Sequence, residues 1–201
     1  MLSKESLKEL SIKHEIGAHT LRHPKLTKIA IEDAKQEIEL SKEWVEEQIG
    51  KPCEMFCYPY GDVNEPVKYL VEQAGFKGAR STVDLGFGHT DRFAMPTSLQ
   101  VTPFPKRRRF SRWWHPIDMF GPLRVRLSRL RAMKIPLSET RSWLSLATAL
   151  FDHAVNTNQP YFHLWGHSHE LERYGMWHDF EKFLQHVQKS NVKSVTNSQL
   201  I

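Results

Sequence analysis

Short apolar runs alternate with longer amphipathic stretches along this chain of 201 residues, and this alternation limits the folds it can adopt. Apolar residues recur at helical spacing over 29–49, 65–74 and 177–190, and compact apolar runs occupy 55–58, 78–82 and 161–165. Helices that alternate with short strands are typical of α/β proteins. The predicted fold class is therefore α/β, either a (β/α) barrel or an open doubly wound sheet.

Turn and cap residues set the predicted boundaries. Gly50 and Pro52 end the long helix, and Ser138 is the expected N-cap of a helix through Asn156. The other predicted elements are a helix over 2–13 and strands over 15–18, 99–104 and 192–196. No repeat or low-complexity stretch interrupts the chain, so we expect one domain over residues 1–201.

Composition excludes few classes of protein. The chain is 40% hydrophobic and 25% charged, as expected for a globular domain, and it has no run of about 18 apolar residues. Its first residues have no apolar core of the kind found in signal peptides, so we expect a cytoplasmic location for the chain as given.

Cys53 and Cys57, four apart in or near a predicted strand, are too distant for a disulfide and are expected to be small buried residues.

The positive charge is concentrated in a segment at about 105–136. Between Lys106 and Lys134 there are ten Lys or Arg and one acid, Asp118, so this stretch carries +9 of a chain whose total is +5. Such a segment could contact an anionic glycan, or a membrane surface through Trp113 and Trp114. A solvated loop is an alternative, and nucleic-acid binding is the least favoured one.

His19 and His23 are four residues apart, just beyond a predicted strand. On a loop or a turn of helix, both imidazoles can converge on one ion, and neutral imidazole binds zinc, cobalt, nickel or iron. Two surface histidines are the alternative, since the chain contains 11. The small residues before the pair and the proline after it favour the metal site.

Two further stretches could carry chemistry. HLWGHSHE, residues 163–170, follows a predicted strand, at the end where α/β folds place catalytic groups; His167 could be a proton donor, with a solvated loop as the alternative. CYPYG, residues 57–61, ends a strand in a turn whose Gly61 permits backbone conformations that side chains forbid. N–H groups of that turn could stabilise an oxyanion, although alone the stretch is typical of an ordinary turn.

In order and spacing, these stretches resemble three motifs of the polysaccharide deacetylases, carbohydrate esterase family 4. HEIGAHTLRHPKL is similar to the second motif, CYPYG to the third and HLWGHSHE to the final one. The resemblance covers about residues 5–100 and 138–201 and leaves the basic segment outside. It implies a distorted (β/α) barrel and metal-dependent removal of acetyl groups from an amino sugar or polysaccharide.

The resemblance also implies roles for single residues. His19 and His23 would bind a divalent metal, zinc in the first place, with cobalt or nickel as alternatives. His167 would be the general acid, and the backbone N–H of Tyr60 would bind the oxyanion. Arg80 is a candidate for orienting an acidic base, because the usual arginine is not in front of the Pro-Tyr-Gly turn.

The implied substrate contacts lie on the same stretches. The acetyl group would be enclosed by Leu164 and Trp165. The remaining contacts with the carbohydrate would come from the turn residues Tyr58, Pro59 and Gly61.

One motif of the family is not found. Its Thr-Phe-Asp-Asp-Gly sequence supplies the base and the third metal ligand, but no Asp precedes His19 and no Asp-Asp pair follows it. Catalytic zinc normally has three protein ligands. We therefore expect a barrel without its first strand, and three interpretations compete: a fragment of a deacetylase, one half of a split enzyme, or a non-catalytic relative that binds glycan.

Overall fold

The computed structural model describes residues 3–107, 115 and 117–201, and its contacts divide the chain into two compact units. Unit 1 comprises Met1–Val83, Gly88–Pro96 and Ser194–Ile201. Unit 2 comprises Asp84–Phe87 and Thr97–Lys193. Each unit is described by itself, and a single domain over residues 1–201 stays a prediction.

Unit 1 contains three helices and a small parallel sheet. The helices are α1 (Lys4–Lys13), α2 (Ile31–Ile49) and α3 (Glu65–Gln73), and the strands are β1 (Met55–Cys57) and β2 (Gly78–Arg80). Three-residue 3₁₀ helices cover Leu26–Lys28, Pro59–Gly61 and Ser198–Leu200. The helix ends follow the cap chemistry: Ser3 and Asn64 accept backbone N–H groups at the starts of α1 and α3, and Gly50 ends α2 in a left-handed conformation with φ 70°.

The sheet of unit 1 extends beyond its two strands by isolated bridges. β1 pairs with β2 in parallel, and Ala18 is bridged to Phe56 in the same direction. Gly17 lies so close to β1 that an added Cβ would be 2.9 Å from the Met55 carbonyl oxygen. Because the paired segments run in parallel, the residues that follow Ala18 and those that follow β1 emerge at the same edge of the sheet.

The core of unit 1 lies between this sheet and the apolar faces of α2 and α3. Its fully buried members include Ala34 and Ile38 of α2, Val71 of α3, and Phe56 and Tyr58 around β1. The Phe56 ring packs edge-on against Tyr58 and at a tilt against Phe76. This packing holds the carboxyl end of β1 against α2.

Unit 2 is mostly helical and also has one parallel strand pair. Its helices are α4 (Gly121–Arg124), α5 (Leu127–Ala132), α6 (Trp143–Asn156), α7 (Ser168–Arg173) and α8 (Trp177–Gln188), and its strands are β3 (Leu99–Gln100) and β4 (Leu164–Trp165). The buried Trp143 ring packs against Phe183 of α8, and its indole N–H donates to the Gln100 carbonyl at 2.9 Å. The core of this unit therefore ties α6 and α8 to β3.

Several predicted elements differ from the structure. The strand expected over 15–18 is reduced to an isolated bridge at Ala18, and the one expected over 161–165 is confined to Leu164–Trp165. The strand expected over 99–104 is confined to Leu99–Gln100, because only these residues pair with β4. Ser138 does not cap α6: its hydroxyl donates to Glu139, and Ser142 accepts the Ser145 N–H at 3.1 Å instead. His167 is followed by helix α7, so the alternative of a solvated loop is wrong for the residues after it. Residues 192–196 are not a strand, since Val192 and Val195 have no buried face.

The basic segment contributes structure to unit 2. Its described part forms α4 and α5, with Leu130 buried in the core, so a bare solvated loop is the wrong description of it. Trp113 and Trp114 lie outside the described residues. None of the helices in the described part of the chain has both the length and the apolarity needed to cross a bilayer.

The predicted α/β class is confirmed at this level. Among the described residues the strands pair as two separate parallel sheets of two strands each, β1 with β2 and β3 with β4. A closed (β/α) barrel stays a prediction, since pairing this limited does not test it.

Candidate metal and catalytic site

His19 lies at the sheet edge where β1 also ends. The backbone before it is held on β1 by two hydrogen bonds, Ala18 N–H to the Met55 carbonyl and Cys57 N–H to the Ala18 carbonyl, both 2.9 Å. Its Nδ1 is 2.7 Å from the Cys57 carbonyl oxygen. A carbonyl only accepts, so Nδ1 carries the proton, and Nε2 is the nitrogen with the lone pair that a metal requires.

His23 and Tyr60 complete a row of three aromatic side chains. The ring centroids of His19 and His23 are 4.7 Å apart, and those of His23 and Tyr60 are 4.6 Å apart. All three side chains are exposed to solvent. The structure thus brings the two predicted metal ligands next to the predicted oxyanion turn within unit 1.

Left-handed backbone conformations occur at two members of this row and at Thr20, the residue after His19. Thr20, His23 and Tyr60 have φ values of 62°, 60° and 59°, although none is a glycine. Such conformations cost about 1–3 kcal/mol each and persist only where the surroundings impose them. Two carboxylates in unit 1 hold the loops that carry these residues.

Glu37 of α2 holds the loop that carries both histidines. Its side chain is buried and accepts hydrogen bonds from the Leu21 N–H at 2.9 Å, the Arg22 N–H at 3.0 Å and the Arg22 guanidinium. Burial opposes ionisation of this carboxyl, but the donors from Arg22 and Leu21 outweigh it, and the pKa of Glu37 lies below its usual value. The negative charge is therefore retained inside unit 1, where it fixes the loop between His19 and His23.

Asp62 performs the corresponding task for the Pro-Tyr-Gly turn. Its carboxylate accepts the Thr27 N–H at 2.8 Å and the Thr27 hydroxyl at 2.9 Å, so the turn is tied to the 3₁₀ helix that follows the histidine loop. Among the described residues, no hydrogen bond is made by the Tyr60 N–H. That N–H is therefore available to a ligand, as the oxyanion role requires.

Two neighbours of the turn are core residues. Tyr58 is fully buried, and its hydroxyl donates to the Phe93 carbonyl at 2.9 Å; burial also raises the pKa of this phenol. This burial does not favour the predicted contact of Tyr58 with substrate, or that of the buried Pro59.

Cys53 and Cys57 are both free thiols, as expected, and burial raises the pKa of the Cys57 thiol to about 11. Cys57 consequently acts through its carbonyl and not as a thiolate.

Arg80 ends β2 and is buried. Its Nε donates to the Asn197 side-chain oxygen, and Nη1 donates to the Pro96 carbonyl, both at 2.8 Å. These contacts join β2 to the last residues of unit 1. Orientation of an acidic base by Arg80 stays a prediction.

The remaining predicted residues lie in unit 2. Leu164 and Trp165 are half-buried in β4, and His167 caps α7 with its side chain 48% exposed. The Nδ1 of His167 is 3.1 Å from a carboxylate oxygen of Glu170, which accepts a hydrogen bond from it. One ligand atom from each of His167, His169 and Glu170 lies within 4.8 Å of the others.

A third ligand for His19 and His23 is not found in the described part of the chain. Among these residues the only compact group of three or more His, Cys, Asp or Glu is the one in unit 2. The pair in unit 1 therefore supplies two of the three protein ligands that catalytic zinc normally has. The fit to a complete metal site is partial.

Sequence reasoning missed Glu37 and Asp62, although the sequence contained a signal for the first. Ala34, Ile38 and Val45 define the buried face of α2, and Glu37 lies on that face. A carboxylate at a core position of an amphipathic helix indicates a buried, hydrogen-bonded charge. No comparable signal marks Asp62, whose partner is 35 residues away.

A family model supports the interpretation drawn from the motifs. Residues 3–79 match the model described as polysaccharide deacetylase. This stretch contains the His19–His23 loop, Glu37 and the Pro-Tyr-Gly turn. The resemblance to the polysaccharide deacetylases is thereby confirmed. The matched residues end at 79, so they include neither β3 nor β4. No curated protein sequence matches the chain.

Solved structures extend the likeness in fold. A CE4 family pseudoenzyme from Bacillus anthracis superposes with a TM-score of 0.54 and 11% identity, covering 98% of this chain and 50% of that one. A deacetylase solved with substrate gives a TM-score of 0.51 at 15% identity, covering 98% and 69%. At these identities the likeness concerns the fold alone.

A local match has higher identity. A polysaccharide deacetylase from Bacillus cereus is 27% identical over 47% of this chain, with a TM-score of 0.42. The matched part spans 31% of that protein's length.

Proposed function

We propose that this chain carries part of a metal-dependent site that removes acetyl groups from an N-acetylated sugar or polysaccharide. The observation that carries the proposal is the hydrogen bond from His19 Nδ1 to the Cys57 carbonyl, beside His23 and the Tyr60 turn. It presents the lone pair of one imidazole, a second imidazole and an unengaged backbone N–H at one edge of one sheet.

In this proposal His19 and His23 hold a divalent ion, zinc, cobalt or nickel. Such an ion polarises a carbonyl and lowers the pKa of bound water. Because the described residues supply only two ligands, the third must come from a group outside them. The described residues would bind the ion and orient the acetyl group. The base of the reaction is not among them.

The Tyr60 N–H is the proposed donor to the oxygen of the acetyl carbonyl. A backbone N–H held in advance needs no reorganisation when negative charge develops on that oxygen. Asp62 and Glu37 maintain this geometry through their hydrogen bonds to the two loops. Protonation of the leaving amine by His167, and enclosure of the acetyl group by Leu164 and Trp165, rest on the resemblance alone.

A second candidate is a non-catalytic protein, or one half of a split enzyme, that binds the same class of glycan. The ligand set around His19 and His23, which is incomplete among the residues that the structure describes, favours it. A pseudoenzyme with a similar fold gives this candidate a precedent.

Acetate release from an N-acetylated oligosaccharide separates the candidates. The chain is assayed with Zn²⁺ or Co²⁺, alone and together with any residues encoded upstream in its gene. We expect activity only where an Asp-Asp strand is supplied, and its loss in His19→Ala and His23→Ala. His14→Ala, an exposed histidine of the same unit, is the control. Absence of acetate release in every form would refute the deacetylase proposal, whereas glycan binding without hydrolysis would support the second candidate.

A further inference from the structure

A cluster of side chains of the types that bind metals lies in unit 2, in the residues that directly follow β4. One nitrogen each of His167 and His169 and a carboxylate oxygen of Glu170 are within 4.8 Å of one another. This is the only such group among residues 3–107, 115 and 117–201. Its components are two imidazoles and a carboxylate, a ligand set that zinc sites use.

A backbone turn places the side chains of this cluster together. The N–H groups of Glu170 and Leu171 both donate to the His167 carbonyl, at 2.9 and 3.1 Å, so the chain turns tightly after β4. Leu171 is buried in the core of unit 2 and anchors the turn. Residues three apart on such a turn lie on the same side, which places Glu170 beside His167.

The protonation pattern also suits a metal. Glu170 has a side chain only 13% exposed and accepts a hydrogen bond from Nδ1 of His167, so the tautomer of this imidazole is fixed. A carboxylate that accepts a hydrogen bond from a metal-binding histidine in this way holds the orientation of its ring. The His167 and His169 rings lie side by side, with centroids 5.1 Å apart and planes inclined by 37°, and both are accessible to solvent.

The remaining adjustment is small. Ligand atoms around tetrahedral zinc, each about 2.0–2.1 Å from the ion, are separated by roughly 3.4 Å. Rotation of the exposed His169 imidazole can bring its nitrogen from the present spacing to that value, while the hydrogen bond between His167 and Glu170 is kept. Water can complete the coordination, because the site faces solvent.

We propose that His167, His169 and Glu170 form a second site for a divalent transition metal of the zinc class. Two imidazole nitrogens disfavour Ca²⁺ and Mg²⁺, which prefer oxygen ligands. The site uses neither His19 nor His23 and does not depend on acetate release, so it goes beyond the proposed deacetylase function. It shares His167 with that function, and a metal bound there would compete with protonation of the leaving amine by the same imidazole.

Calorimetric titration of the full chain with zinc chloride tests the proposal, with cobalt absorption spectra as a second measure. The starting protein carries His19→Ala and His23→Ala together, so that only the site in unit 2 is probed. We expect it to bind one zinc ion per chain. Adding His169→Ala or Glu170→Gln should weaken binding by more than about tenfold, since the loss of even an outer-shell partner commonly costs that much.

His178→Ala, an exposed histidine of α8 in the same unit, is the matched control and should leave the affinity unchanged. Circular dichroism checks that each variant is folded. The proposal is overturned if the starting double variant binds no zinc, or if His169→Ala binds it as tightly as its parent. Because the readout is binding, failure of the deacetylase assay leaves this result unaffected.

Discussion

At the scale of single residues, the buried carboxylate of Glu37 fixes the loop that carries His19 and His23 without being a ligand itself. Its carboxylate accepts the backbone N–H groups of Leu21 and Arg22, between the two histidines. Since His23 and Thr20 adopt left-handed conformations, the loop would relax if these hydrogen bonds were lost. Glu37 is therefore a positioning residue for the proposed metal site.

We predict that Glu37→Gln lowers the free energy of unfolding by about 1.5–3 kcal/mol at pH 7, because hydrogen bonds to a charged group are replaced by weaker ones. Glu39→Gln, two residues on, is the control. That partly exposed carboxylate forms an ion pair with Lys35 at 3.7 Å, and its loss should cost at most about 0.5 kcal/mol. Urea denaturation measures both. Equal effects of the two substitutions would contradict the role of Glu37.

The pH dependence of the Glu37 effect has a defined sign. The pKa of Glu37 is lowered in the folded protein from an ordinary value of 4.5. Its contribution to stability is therefore fully present above that value and is lost as the pH falls through the folded pKa. The difference between wild type and Glu37→Gln should shrink in this acid range, and a difference that grows there would contradict the assignment.

At the scale of elements, the Pro-Tyr-Gly turn requires glycine at position 61 for two reasons: its left-handed backbone conformation and the close contact of its Cα with Thr82. Gly61 has φ 68°, and a Cβ there would be 2.9 Å from both the Cβ and the backbone nitrogen of Thr82. Gly50, at the end of α2, has nearly the same φ of 70° but nothing within 4 Å of an added Cβ. Substituting the two glycines in turn therefore distinguishes the cost of the backbone conformation, present at both, from the cost of the steric contact, present at Gly61 alone.

We predict that Gly50→Ala lowers the free energy of unfolding by about 1–2 kcal/mol through its left-handed conformation alone. Gly61→Ala should cost about 1–3 kcal/mol more, because Thr82 must also move. Thermal unfolding of both variants measures the difference. If the two substitutions cost the same, the contact with Thr82 does not constrain the turn.

The sequence predicted the helices better than the strands. The start of α3 is specified locally by Asn64, and the end of α2 by Gly50, so both boundaries agree with expectation to within two residues. Strand length depends on the partner, which is distant in sequence, and β3 is therefore shorter than its apolar run. The proximity of His19 to the Pro-Tyr-Gly turn was predictable only through the resemblance, because the hydrogen bond that creates it joins residues 38 apart.

At the scale of the whole molecule, contacts between distant parts of the chain complete unit 1. The Glu15 carboxylate accepts the backbone N–H groups of Asn197 and Ser198, at 2.8 and 3.1 Å. The Asn197 side chain in turn accepts from the buried Arg80. No sequence pattern indicates a contact between residues 182 apart.

We predict that Asn197→Ala lowers the free energy of unfolding by about 1–3 kcal/mol, because the Arg80 Nε–H loses its acceptor inside unit 1. Asn191→Ala, at an exposed position, is the control and should change it by less than about 0.5 kcal/mol. Chemical denaturation with a probe in unit 1 measures the effect. A neutral Asn197→Ala would mean that Arg80 finds another partner.

This same contact constrains how the protein is made. During synthesis Glu15 leaves the ribosome early, but its partners Asn197 and Ser198 are added only after all of unit 2. The nascent chain must therefore hold the first part of unit 1 without its closing contacts while unit 2 is translated. A ribosome that stalls or stops after residue 193 would release a chain in which unit 2 is whole and unit 1 is not, a product that quality-control proteases are suited to recognise.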